Sequence, residues 1–153
     1  IPLPPSWTKC RLLVTQTNPG NLYLPLGTGC SIDRTTLLTS GTVAMVLFEA
    51  QKRGWKILAL HTPNGTGKRL VSHEISEVKA HSIYLDANHR KERAGRITQQ
   101  SYFDLAIVRT KEELATPLNL RQTSERQVDT DTFVCIGYRL DGKAIRDPSK
   151  SRT

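Results

Sequence analysis

No uninterrupted apolar run of about 18 residues occurs anywhere in the 153-residue chain, so no segment is expected to span a membrane. The apolar start IPLPP is too short and too rich in proline to serve as the hydrophobic core of a signal peptide. The chain opens on Ile1 rather than Met, which suggests a cut or processed piece. Cysteine is scarce: Cys10, Cys30 and Cys135 are odd in number and none stands in a C-x-x-C pair. They are expected to be mostly buried thiols rather than metal or redox ligands. The four histidines include His73, His81 and His89 at eight-residue intervals. That rhythm suits neither one helix face nor one strand face, so separate positions are expected and no metal or cofactor. Aromatic residues are few as well, nine in all. A nucleic-acid-binding barrel usually displays stacking aromatics on its strands, which weakens that reading.

Acidic residues are outnumbered, 14 against 22 basic ones, giving a net charge of +8. Such an excess suggests a polyanionic partner. Its distribution argues otherwise, because the clusters fall in 89–96 and 139–152, turn-like stretches without interleaved aromatics. A solvated loop and a solvated tail explain them, and a basic β-barrel that binds nucleic acid is kept as an alternative. The length suits one domain with a core of its own, or part of one larger unit.

The chain is rich in short β-type runs. RLLVTQT (11–17) ends at the turn signal NPG, and GTGCSI (27–32) opens on glycine. TTLLTS (35–40), WKILALH (55–61), 70–78 and 104–109 complete six strands, spaced as in a small antiparallel barrel. Residues 43–52 differ: apolar positions recur at i, i+3 and i+4 among helix formers, and the pattern stops at Gly54. A short helix is expected there, capped by Ser40 or Thr42. From Ala87 to Gln100 the chain is polar and aperiodic, as in a long surface loop. The last fifteen residues lack an apolar pattern and read as a linker or frayed end.

Three landmarks, GTGCSID, LLTSGTV (37–43) and FDLAIV (103–108), taken in order, resemble those of trypsin-like serine peptidases, particularly the bacterial HtrA-like kind. In that family a strand opening on a GTG-like element precedes one ending L-T-x-x-H, and an apolar-flanked D-L-A follows after about sixty residues, as here. PLNL (117–120) resembles the segment leaving the first barrel, and FVCIGY (133–138) the strand opening the second. The resemblance covers about residues 8 to 138. It implies an all-β fold, a six-stranded antiparallel β-barrel of trypsin-like type with one short helix. The implied boundaries are a first barrel in 1–132 and, in 133–153, the start of a second barrel or a linker. Leu13, Ile32, Leu38, Ile57, Leu58, Leu105 and Ile107 are the expected core.

The chemistry of that family needs a serine nucleophile, an imidazole that cycles a proton and a carboxylate that orients the imidazole. Matched residue by residue, the acid falls on Asp104 and the histidine position on Thr42. A threonine hydroxyl cannot act as a general base near neutral pH. The nucleophile's G-x-S-G-G element is missing from these residues altogether. The expectation is therefore a vestigial triad acid at Asp104, held close to Thr42, in a catalytically inactive domain with a protein-binding or scaffolding role. An active serine endopeptidase whose histidine was replaced is the other alternative. The resemblance implies a protein partner or second-barrel segment against residues 133–138, or self-association, no membrane, and a bacterial periplasm or cell envelope.

Overall fold

The computed structural model describes residues 10–16, 22–61, 70–86, 103–114, 138 and 140–146. Its elements are β1 (Cys10–Gln16), β2 (Leu22–Ser31), β3 (Thr36–Thr39), α1 (Gly41–Lys52), β4 (Lys56–His61), β5 (Val71–Ala80), β6 (Ala106–Thr110) and β7 (Ile145–Arg146). The first six strands pair antiparallel in the order β1-β4-β5-β6-β3-β2, and β2 pairs back with β1. The sheet is thus a closed six-stranded barrel. Strands β4-β1-β2-β3 lie side by side as a Greek key, and the long return to β1 carries α1.

Why β1 reads as an almost unbroken apolar run is clear from what covers it. Every residue from Cys10 to Thr15 is buried, because the strand is packed on both faces. One face sends Leu13 into a cluster with Leu37, Ile57, Ala59, Ile75 and Val108, side chains from five strands that can meet only inside the barrel. Leu47 and Ala50 of α1 join that cluster, so the helix closes one end of the barrel. The opposite face packs Leu12 and Val14 with Tyr23, Leu58 and Leu60, and Leu70, Tyr138 and Ile145 lie over them.

The helix begins at Gly41, two residues before the apolar periodicity, because Ser40 supplies the cap: its Oγ accepts from Val43 N–H at 3.1 Å. It stops where expected, with Gly54 at φ +73°, a conformation that favours glycine. Strand β2 starts at Leu22, well before the expected 27. Pro25 hides this, since its missing N–H disqualifies it from a regular ladder. The structure accommodates it at a register shift, where Leu13 pairs with Gly27 but Val14 with Pro25.

The expected core is corrected in its phase. Leu13, Ile57 and Leu58 are buried, but Leu105 is 46% exposed and Ile32, Leu38 and Ile107 are only half-buried. In β6 it is Ala106 and Val108 that point inward, and in β3 it is Leu37. A one-residue shift in a period of two exchanges the faces. The tail is corrected as well: Ile145–Arg146 forms β7, pairing Tyr23 with Ile145 and Leu22 with Arg146. Of the strand expected at 133–138, only Tyr138 is described, and its N–H donates to Thr28 Oγ1 at 3.1 Å. The expected surface loop at 87–100 and the basic cluster at 89–96 lie outside the described residues, as do PLNL and Cys135. Among the described residues no helix is long and apolar enough to cross a membrane.

Candidate functional site

Strand β3 hands the chain directly to α1, which fixes Thr42 in the first helical turn beside the capping Ser40. The first N–H groups of a helix have no partner within it, and the N-terminus favours negative charge. No acidic residue of the helix itself fills this role. Asp104, arriving just before β6, supplies it from outside: Thr42 N–H donates to its Oδ1 at 2.8 Å. The structure therefore brings together the two residues singled out from the sequence.

The Thr42 hydroxyl completes the contact, with Oγ1 at 3.0 Å from Asp104 Oδ2 and 3.2 Å from Oδ1. It also lies 3.2 Å from the phenolic oxygen of Tyr84. A carboxylate can only accept, so the single hydroxyl proton of Thr42 goes to Asp104 and the Tyr84 proton goes to Thr42. The result is a directed chain, Tyr84 O–H to Thr42 O–H to the Asp104 carboxylate. Within this chain each hydroxyl donor is spent on its neighbour.

Tyr84 was not legible as a site residue. It sits on a helical turn at 82–86 and is 5% exposed. Its ring lies against Gly41, where an added Cβ would stand 2.6 Å from Cδ1, so position 41 has no room for a side chain. The turn is docked by His81, whose N–H donates to Leu105 O at 2.9 Å and whose ring stacks on Phe103 at 5.0 Å. His81 Nδ1 accepts from Ile83 N–H at 3.2 Å and is committed to capping that turn. Four exposed apolar residues, Val46, Ile83, Phe103 and Leu105, are near in the chain to Thr42, Tyr84 or Asp104. Phe103 and Leu105 flank Asp104 in the chain, Ile83 precedes Tyr84, and Val46 lies one helical turn from Thr42 on the same side of α1.

A second polar group lies within the barrel wall. Arg11 is 1% exposed, with Nη1 donating to Cys10 O at 3.1 Å, and burial holds its guanidinium below the ordinary value. His61 and His73 are within its electrostatic reach, and both stay neutral more readily than usual, chiefly through burial and secondly through Arg11. For His61 the value is pushed down to about 4. The Nδ1 atoms of both rings are buried without a hydrogen-bond partner among the described residues. His73 Nδ1 has Glu112 Oε2 at 3.9 Å.

His73 on β5 and His81 before the turn occupy separate places, and His89 lies outside the described residues. Among the described residues no group of three or more His, Cys, Asp or Glu is gathered as metal ligands. No protein-family model matches the chain, and no curated protein is similar enough to match it.

Proposed function

We propose that this chain is a degenerate barrel of the trypsin-like kind, without peptidase activity, that binds a protein partner through the apolar face around Thr42 and Asp104. The observation that carries the reading is the use made of Asp104. Its carboxylate accepts from the N–H and the hydroxyl of the residue at the histidine position, so the acid acts as a helix cap and anchors a side chain that cannot cycle a proton. The closed Greek-key barrel and the order of the three landmarks are consistent with that descent. Removal of the triad leaves a family member with only the residual effects of binding and the oxyanion hole. The exposed apolar residues Phe103, Leu105, Ile83 and Val46, near in the chain to that contact, support an apolar polypeptide segment as the partner.

The test has two parts. The chain should neither cleave casein nor take up a serine-reactive fluorophosphonate, and Thr42→His alone should not restore either, since nothing is present for the imidazole to activate. Labelling or turnover above a heat-inactivated control overturns the inactive reading. For binding, peptides selected from a random library on the wild-type chain should lose about tenfold or more in affinity for Phe103→Ser/Leu105→Ser, a difference of about 1.4 kcal/mol. Equal binding by the folded double variant refutes the assignment of the face.

A further inference from the structure

Cys10 and Cys30 are far apart in sequence, yet they are direct partners in the antiparallel ladder of β1 and β2. Residues directly opposite in such a ladder point to the same face, with Cβ atoms about 4.5–5.5 Å apart. A disulfide needs Cβ atoms about 3.5–4.5 Å apart, and it accepts the Cα separations of about 4.5 or 5.5 Å that direct antiparallel partners show. Closing the bond therefore takes a shift of about 1 Å and no change of register. Both side chains are thiols in this structure.

Their surroundings differ in the way an exchange site needs. Cys10 is 4% exposed, whereas Cys30 is only partly covered and can be reached from solvent. The Arg11 guanidinium, fixed by its bond to Cys10 O, lies within electrostatic reach of both sulfurs.

We propose that Cys10 and Cys30 form a thiol–disulfide exchange site, with Cys30 as the attacking thiol and Cys10 as the resolving one, and a low-molecular-weight disulfide such as oxidised glutathione as the oxidant. The Cys30 thiolate attacks one sulfur of the oxidant, forming a mixed disulfide and releasing one glutathione thiolate. Cys10, deprotonated in turn, attacks Cys30 Sγ and expels the second. The two cysteine protons end on the two released thiolates, so the chain is oxidised by two electrons and the glutathione disulfide is reduced by two. The new bond joins β1 to β2 beneath Tyr138, whose hydroxyl donates to Cys10 O at 3.5 Å. Ladder partners that must move together to bond store strain, and strained disulfides are the readily reduced ones. The site is thus reversible.

The folded chain is titrated across a series of oxidised-to-reduced glutathione ratios, quenched with acid and alkylated, and its thiols are mapped by peptide mass spectrometry. The expected result is loss of one pair of thiols and two hydrogens in mass, with the new bond linking the Cys10 and Cys30 peptides. Cys135→Ser should leave the transition in place, Cys30→Ser should abolish it, and dithiothreitol should reverse it. The oxidised form should also show slower amide exchange in β1 and β2. Mapping on the unsubstituted chain keeps the test decisive if a variant fails to fold. A folded chain that keeps its thiols under these conditions, or that pairs either residue with Cys135 instead, overturns the proposal.

Discussion

Lowering the pH from 7 toward 4 should destabilise the fold through His61 in particular. In the unfolded chain this imidazole titrates near its ordinary value of 6.5, whereas in the barrel burial, with Arg11 and His73 alongside, pushes it down to about 4. Above 6.5 it is neutral in both states and contributes nothing to the pH dependence. Between 6.5 and 4 the unfolded chain binds a proton that the folded one refuses, so stability falls as the pH is lowered through that window. At 1.36 kcal/mol per pH unit for one site, the full window costs about 3 kcal/mol, a large part of the stability of a domain this size. His73, lowered by the same causes, adds to the slope in the same direction. Asp33 and Glu74, held below their ordinary values mainly by hydrogen bonds from Thr35 and Lys111, lose their contributions only at lower pH. Urea unfolding followed by circular dichroism at half-unit steps between pH 7 and 4.5, on wild type and His61→Leu, isolates the effect. Wild type should lose stability steadily below 6.5 and the variant markedly less. Parallel slopes for the two proteins between pH 5 and 6.5 would refute the reasoning.

Thr42→Val keeps the shape of the side chain and the N–H bond to Asp104 but removes both hydroxyl contacts. With the site half open to solvent, about 1–2 kcal/mol of unfolding free energy should be lost in a denaturant titration, and an unchanged midpoint would show that the hydroxyl is not held by Asp104. Gly41→Ala would raise helix propensity by up to about 1 kcal/mol at an open position, yet here the new methyl meets the buried Tyr84 ring at 2.6 Å. The variant should therefore be destabilised by about 1–3 kcal/mol, and a melting temperature above wild type would disprove the close approach.

The elements were legible because each rests on local patterning. The apolar runs of β1 and β4, the helix periodicity of 43–52 and its stop at Gly54 all follow from neighbours in sequence. The phase of β3 and β6 was not, because Leu37-Leu38 and Leu105-Ala106-Ile107-Val108 offer an apolar side chain to both faces. Only the ladder that pairs Leu37 with Val108 decides which of them is inside. At the candidate site, the contact of Thr42 with Asp104 was implied by the resemblance of the landmarks, whereas Tyr84 carried no signal. Its place depends on a helical turn folding back over Gly41, a tertiary event that no local spacing encodes. Arg11 was hidden for a related reason: a charged residue in a strand run reads as an outward position, and its burial is set by the closed barrel rather than by its neighbours in sequence. Strand β7 has only Ile145 as an apolar anchor, too little for a periodicity.

The seam where β3 meets β6 has a consequence for how the protein is made. Thr36 pairs with Arg109, while every other pairing among the six barrel strands joins partners closer in the chain. During synthesis at about 5–20 residues per second, the chain from β1 to β5 emerges about 1–6 s before the strand that closes the cylinder. Until β6 arrives, β3 and β5 present bare edges, and Leu37 and Ile75 lack their covering partner Val108. A nascent chain halted before Asp104 would thus expose sticky edges and leave the Thr42 N–H of α1 without its carboxylate at the same moment. Closure of the cylinder and seating of Asp104 on the helix are then one event, so the Thr42–Asp104 contact comes into being only in a fully closed molecule.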